Sequence, residues 1–267
     1  MNRTPRELQH SRAKLLARIR RRYETIDETI TIGPLRVPFT RVKDPDVVLD
    51  RLADEADRRE RATGTRLDEI QHLPYWAELW DSAYGVAERL VARSTGWGIG
   101  DPKRVLDLGC GMGLTGAVAA HLRAEVMLAD LEAEALLFAQ YNASAAGDAR
   151  LVARPDLGRR MTGVYRWQPR VRSRQLNWQT DHLGERFDLI LGADILYDHP
   201  QWPFLNAFFT EHLAAGGTVI LGEPGRATGD RFVDWIATRG DWSLDRVDVT
   251  LPTRDRPIRI FELQHAR

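Results

Sequence analysis

The sequence predicts an open α/β fold: a seven-stranded, mostly parallel sheet with helices on both faces, preceded by an N-terminal helical and hairpin extension. Three observations carry that prediction. The run Val105-Leu106-Asp107-Leu108 turns through Gly109, Gly111 and Gly113 and opens into a helical stretch over residues 114–122. Apolar runs bounded by turn residues then alternate with helical patterns, the signature of strand–helix–strand units. The last two runs, 243–249 and 258–263, read as a closing hairpin. At 267 residues and 43% hydrophobic content, the chain supports one large domain, assigned to residues 71–267, with residues 1–70 as a cap or side layer.

Taken in order, residues 5–22 suggest an Arg-rich helix whose stripe, Leu8, Leu15, Leu16 and Ile19, docks on the protein and leaves the arginines in solvent. Residues 29–32 and 35–39 flank Gly33-Pro34 as a hairpin. Residues 46–61 form a charged helix with Val47, Val48, Leu49 and Leu52 inward. An aromatic segment, Leu73-Pro74-Tyr75-Trp76-Ala77-Glu78-Leu79-Trp80-Asp81-Ser82-Ala83, runs into a helix over 84–93. Its rings suit core packing and equally suit a cationic ligand beside the two carboxylates.

After the glycine turn, residues 125–129 are a second strand ending in Asp130, and a helix follows over 132–146. Residues 147–170 are an Arg-rich insertion. A third strand, 172–176, ends in Asn177-Trp178, and a buried fourth, 187–193, ends in Asp194-Ile195-Leu196-Tyr197. A helix over 201–214, a strand over 218–221, the turn Gly222-Glu223-Pro224-Gly225-Arg226 and a helix over 230–239 precede the closing hairpin.

Composition excludes several function classes. Acidic and basic residues balance at 38 each, so no global field points to nucleic acid or an anionic membrane. The only lysines are Lys14, Lys43 and Lys103, a bias toward arginine that fits high-GC bacterial coding. The single cysteine, Cys110, rules out an internal disulfide and a cysteine-rich metal site, and no metal is expected. No apolar run approaches the ~20 residues of a membrane span, and the N-terminus lacks a signal-peptide core. A soluble, cytoplasmic, bacterial-like protein is expected.

The ligand follows from one residue. Residues 111–116 match the G-x-G-x-x-G fingerprint of dinucleotide sites, a weak signal alone. Asp107, just before the glycines, would repel a pyrophosphate. It would attract the ammonium and sulfonium of S-adenosylmethionine, whose own carboxylate can meet the helix N-terminus. Asp130, roughly 20 residues further on, is placed to accept two ribose hydroxyls, with Leu131 beside it; an N-cap role is compatible. Asn177 can pair with the adenine edge and Trp178 can cover its face, or the pair can form an ordinary strand-end turn. Asp194 and Tyr197, where the fourth strand breaks into a loop, can both face the transferred methyl.

Four segments in this order, Pro74-Tyr75-Trp76-Ala77-Glu78-Leu79-Trp80, Asp107 to Gly113, Gly192-Ala193-Asp194-Ile195-Leu196-Tyr197-Asp198 and Gly222-Glu223-Pro224-Gly225-Arg226, resemble the seven-strand protein-lysine methyltransferases. The resemblance spans about residues 71 to 240 and implies a class I methyltransferase (Rossmann-like) fold. It implies S-adenosylmethionine as cofactor, S-adenosylhomocysteine as product and Asp194-x-x-Tyr197 as the catalytic motif. The Pro-Tyr-Trp-Ala start and the Gly-Glu-Pro-Gly-Arg turn look most like the branch that modifies the β subunit of electron-transfer flavoprotein. Asp81-Ser82-Ala83 departs from that branch's Pro-Gly-Gly, and Asn177 stands where relatives often carry an acid.

The expected cofactor-binding set is Trp80, Asp107, Gly109, Gly111, Gly113, Asp130, Leu131, Asn177, Trp178 and Asp194. The expected substrate-binding set is Trp76, Glu78 and Tyr197. Asp194 would orient the incoming amine and Tyr197 would wall the methyl-transfer channel. The partner is then a protein substrate, the flavoprotein β subunit or another cytoplasmic protein. The alternative is a small-molecule (nicotinamide-like or amine) N-methyltransferase.

Overall fold

The computed structural model describes residues 5–64, 75–94, 103–147 and 170–266. The predicted 147–170 insertion, the start of the aromatic segment at Leu73-Pro74 and the boundary drawn at residue 70 lie outside the described residues. In chain order the elements are α1 (Pro5–Arg20), β1 (Thr25–Ile32), β2 (Leu35–Val42), α2 (Pro45–Thr63), α3 (Asp81–Arg93), β3 (Arg104–Leu108), α4 (Leu114–His121), β4 (Glu125–Asp130) and α5 (Ala133–Ser144). They continue as β5 (Arg170–Gln175), β6 (Phe187–Ala193), α6 (Trp202–His212), β7 (Leu213–Glu223), α7 (Ala227–Ala237), β8 (Trp242–Val249) and β9 (Ile258–His265).

Seven strands form one sheet in the order β5-β4-β3-β6-β7-β9-β8. All pairs from β5 to β7 are parallel, and β9 runs antiparallel between β7 and β8. The inner strands read as continuous apolar runs because helices cover both faces. Their side chains divide by parity. Val105, Val126, Leu128, Leu189, Leu191 and Ile220 face the α3, α4 and α5 layer. Leu106, Met127, Ile190, Val219 and Leu221 face α6 and α7. From β3 the chain steps outward to β4 and β5 on one side and then crosses back to β6 on the other, so strand order reverses between the parallel neighbours β3 and β6 and places the topological switch point at their C-terminal ends.

The N-terminal extension is built into the same core. β1 and β2 pair as a two-stranded antiparallel sheet over Thr25 to Val42, longer than the expected hairpin. Ile19, Ile32, Val37, Phe39 and Val48 join one apolar cluster with Val118 and Phe138 of α4 and α5. Asn142 of α5 ties the layers together. Its Oδ1 accepts from Thr40 N–H at 2.8 Å, and its Nδ2 donates to the carbonyls of Thr40 and Met112, both at 2.9 Å. The hairpin is thereby fastened to the glycine turn itself.

Several predicted elements shift. Among the described side chains of α2 only Val48 is buried, whereas Val47 and Leu49 are exposed; three consecutive helical residues step about 100° apart and cannot share one face. The side chains of Leu8 and Leu52 lie outside the described residues. Arginine solvation on α1 is incomplete, because the Arg12 guanidinium lies 4.7 Å over the Tyr141 ring. α3 starts three residues earlier than expected, at Asp81. α6 ends at His212 and β7 begins immediately at Leu213, so the helix is shorter and the strand longer than the 201–214 and 218–221 readings.

Removing the Asn142 amide strands three buried backbone partners, each costing about 1 kcal/mol or more. Asn142→Ala should therefore lower unfolding free energy by about 3 kcal/mol, read as a fall in the urea midpoint at unchanged m-value.

Candidate functional site

The parallel strands β3, β4, β5, β6 and β7 all deliver polar residues to one edge, their C-terminal ends. At the end of β3, Gly109, Gly111 and Gly113 hold φ of 63°, 51° and 81°. Gly113 caps α4, and a Cβ there would stand 2.7 Å from the Ala139 backbone, so neither its conformation nor its clearance admits a side chain. Asp107 points beneath this turn. Its Oδ1 accepts from Thr115 Oγ1 at 2.6 Å and its Oδ2 from Gly116 N–H at 2.8 Å. At 1% exposure, burial pushes its pKa up to about 7 against the pull of those two bonds. This corrects the expectation of direct ligand contact: the Asp107 carboxylate holds the turn from behind.

Asp130 closes the turn from β4. One oxygen accepts from Gly111 N–H at 2.8 Å and the other from Glu132 N–H at 2.9 Å; the N-cap position of α5 is Glu132, so Asp130 ties down the residue ahead of the helix and does not cap it. Each oxygen keeps a second lone pair. Burial raises this carboxyl to about 6, with the backbone N–H groups opposing. Leu131 beside it is exposed, and its carbonyl accepts from Gln175 Nε2 at 2.8 Å.

At the end of β5, Asn177 Oδ1 accepts from Gln179 N–H at 2.9 Å in a strand-end turn. The Trp178 indole donates to Gln201 at 3.1 Å, and its ring edge would lie 3.6 Å from a Cβ on Gly109. Both residues therefore flank the glycine turn.

β6 ends in Asp194, which adopts a left-handed φ of 58° and donates its N–H to the Gly222 carbonyl at 2.9 Å. This twist returns Ile195 and Leu196 to the core and leaves Asp194 and Tyr197 at the edge. Arg226 grips the Asp194 carboxylate with both terminal nitrogens, one of them at 3.1 Å. Burial raises the Asp194 pKa, and Arg226 opposes that rise. The Tyr197 phenol is also raised by burial.

Arg226 is itself built in. Buried Glu223 accepts from the N–H groups of Gly225 at 2.8 Å and Arg226 at 2.5 Å, and from Arg259 Nε at 2.7 Å. Arg259 also bonds the Arg226 carbonyl. The Arg226 guanidinium lies 5.8 Å over the Trp80 ring, and Arg254 pairs with Asp81 at 3.2 Å. Together Glu78, Trp80, Asp81, Asp194, Arg226 and Arg254 line a cavity of about 310 Å³. Tyr75 and Tyr197, exposed at 45% and 48%, meet with ring centroids 5.9 Å apart.

Two sequence expectations for this edge need amendment. Trp76 does not offer its ring to a substrate: it is buried against Tyr23 and Phe138 at 5.6 and 5.7 Å, and only its backbone approaches Gly111. Tyr75 takes the exposed place instead. Arg226 is a site residue that the sequence reading does not name, although its turn is singled out there; the only local signal is an arginine in the turn that follows a strand.

A glycine turn after the first parallel strand, an acid after the second and an antiparallel strand inserted next to the edge define the class I methyltransferase fold. Magnesium protoporphyrin IX methyltransferase from Synechocystis PCC 6803, solved with bound S-adenosylmethionine, shares it at a TM-score of 0.50 and 18% identity, over 84% of this chain and 98% of that one. Within that class, residues 75–237 match the lysine methyltransferase family, and the chain belongs to it. Protein N-lysine methyltransferase METTL21A of Danio rerio is 37% identical over 122 residues, 45% of this chain and 48% of the relative. EEF1A lysine methyltransferase 3 of Mus musculus is 28% identical over 157 residues, 57% of this chain and 56% of the relative. The chain thus spans about half the length of the curated relatives it matches. Family membership rests on the match over residues 75–237, and neither relative carries the flavoprotein branch.

S-adenosylmethionine is the cofactor of this family, and the residues present fit it. Gly113 packs too closely on Ala139 to carry a side chain and so keeps the turn into α4 tight, Asp130 has two lone pairs to offer ribose hydroxyls, and Asn177 at the end of β5 brings an amide that can pair with a base edge. Acceptance of hydroxyls needs ionised Asp130, so affinity for S-adenosylhomocysteine should fall as pH drops through about 6. Calorimetric titration between roughly pH 5 and 8 should show that fall in the wild type and a flatter profile in Asp130→Asn; a pH-independent wild-type affinity would remove Asp130 from the ribose site.

Proposed function

We propose that this protein is an S-adenosylmethionine-dependent N-methyltransferase that acts on a lysine side chain of a protein. The observation that carries the reading is the Asp194–Tyr197 corner. An arginine-held carboxylate and an exposed phenol stand at the strand edge that bears the glycine turn, beside a cavity walled by Trp80. The cofactor, when bound, supplies a methyl group on a positively charged sulfur.

What the chain must do is align a neutral amine with that carbon. Arg226 fixes the Asp194 plane through two N–H bonds, and each oxygen keeps a lone pair that can accept an amine N–H. That contact aims the nitrogen lone pair along the reaction axis. Tyr75, Tyr197 and Trp80 exclude water around the nitrogen; a drier environment disfavours the ammonium of a lysine whose free pKa is about 10.4. With the donor bound, an amine held at Asp194 could take the methyl carbon while the electron pair of the broken bond stays with the donor, and the methylated nitrogen would then give up a proton to water.

Two protein substrates are suggested by likeness alone. The motif resemblance favours the β subunit of electron-transfer flavoprotein, and one relative is named for the elongation factor EEF1A. A cytoplasmic site of action suits either.

Incubating the protein with methyl-labelled S-adenosylmethionine and a bacterial extract should label a discrete protein band, with trimethyl-, dimethyl- or monomethyl-lysine recovered on peptide mapping. Asp194→Ala should reduce turnover about 100-fold or more while S-adenosylhomocysteine affinity stays within about threefold. Label confined to small molecules would favour the metabolite N-methyltransferase.

Arg226 supplies a separate test. It holds the Asp194 carboxyl below the value burial alone would impose, so Arg226→Ala should move the acid limb of the pH–rate profile to higher pH. An acid limb that stays in place would mean that Asp194 ionisation does not govern turnover.

A further inference from the structure

At the opposite edge of the sheet, where β6 and β7 begin, the structure brings together a group that methyl transfer does not use. His182 comes from the β5–β6 connection, and Glu211 and His212 end α6. One ligand atom from each lies within 4.8 Å of the others, the only such group of three or more histidine, cysteine or acidic side chains among the described residues.

His212 is the anchor. It is 1% exposed, and the Phe208 ring stands 4.3 Å from its own. Its Nδ1 lies 3.0 Å from the Glu185 carbonyl. A carbonyl only accepts, so Nδ1 carries a proton, and in the neutral tautomer this selects, Nε2 is a bare lone pair. That nitrogen is buried and has no hydrogen-bond partner. It faces Glu211 Oε1 at 3.9 Å, a lone pair opposite a carboxylate with no donor between them. Glu211 in turn receives His182 Nδ1 at 2.8 Å. A ring nitrogen whose partner nitrogen is pinned by a carbonyl is the arrangement by which proteins orient a metal-binding imidazole.

We propose that His182, Glu211 and His212 form a Zn²⁺ site that fastens the β5–β6 connection to α6. Two imidazoles and one carboxylate are a zinc ligand set, with bond lengths near 2.0–2.2 Å. The donors must close by about 1 Å around the ion, and the side chains that would move, His182 and Glu211, are the exposed ones. A cavity of about 560 Å³ lined by Gly184, Glu185, Glu211 and His212 lies alongside the group. Two arginines share that cavity, but Arg186 donates to the Leu213 carbonyl at 2.9 Å and Arg104 lies 3.9 Å from the Asp188 carboxylate, so both are directed elsewhere. The clamped connection begins with Asn177-Trp178, and α6 is preceded by Gln201, which bonds Trp178. The ion would therefore hold the far end of the segment that flanks the glycine turn. The proposal is independent of the reaction assigned above.

The test uses the full chain without an affinity tag, stripped with a chelator and titrated with Zn²⁺ against a chromogenic zinc indicator. One equivalent should bind, Co²⁺ should give a visible d–d spectrum, and Zn²⁺ should raise Tm. His182→Ala and Glu211→Gln, both at exposed side chains, should each weaken binding at least about tenfold and abolish the Zn²⁺-dependent rise in Tm, with metal-free Tm unchanged. Absence of stoichiometric binding, or binding that both variants leave intact, overturns the site.

Discussion

A single buried carboxylate sets the architecture of the functional edge. Asp107 takes the Thr115 hydroxyl and the Gly116 N–H of the first turn of α4, so the end of the central strand and the start of its helix are one rigid unit. The rest is hung from it. Gly111 reaches Asp130 on the next strand, and the Met112 carbonyl takes the Asn142 amide that also grips the N-terminal hairpin. Hydrogen bonds to a charged group contribute about 1.5–3 kcal/mol each, yet burial still raises this carboxyl to about 7. The folded chain therefore binds more protons than the unfolded one between the ordinary carboxylate range and about pH 7, and across that window Asp107 withdraws stability as pH rises. The position is kept for geometry, at a cost in stability.

A second buried network organises the reacting side. Glu223 and Arg259 are both almost wholly enclosed, and they pair with each other while binding the turn that carries Arg226. Such a pair adds little net stability over an apolar equivalent, but losing one partner leaves a buried charge uncompensated. Its effect here is positional: Arg226 is presented to Asp194 from a turn with almost no freedom of its own. The carboxylate is thereby oriented before any substrate arrives.

The sheet was legible in the sequence because its signals are local and repeated: apolar runs of strand length, glycines at strand ends, acids at the C-terminal edge. The glycine turn, Asp130, Asn177-Trp178 and Asp194 all fall where the pattern put them. What could not be read was side-chain direction. Asp107 and Trp76 have the right chemistry for a ligand and the wrong orientation, because parity along β3 aims the first at α4, and neighbouring rings draw the second into the core. The Arg226–Asp194 pair depends on β7 lying beside β6, a long-range fact that no local spacing encodes. The His182–Glu211–His212 group is of the same kind, since its members come from separate segments of the chain.

The placement of β9 bears on how the molecule is made. It is the last strand in sequence but lies inside the sheet, with Ile260 opposite Gly222 and Arg259 opposite Glu223. Until residues 258–265 leave the ribosome, β7 presents an open apolar edge of the kind that templates intermolecular pairing, and Glu223 lacks the guanidinium that balances it. A nascent chain can form the glycine turn, but it cannot yet arrange the corner at Asp194. The reactive edge is thus completed only once β9 has inserted between β7 and β8, so residues 258–265 must be made before the site can assemble.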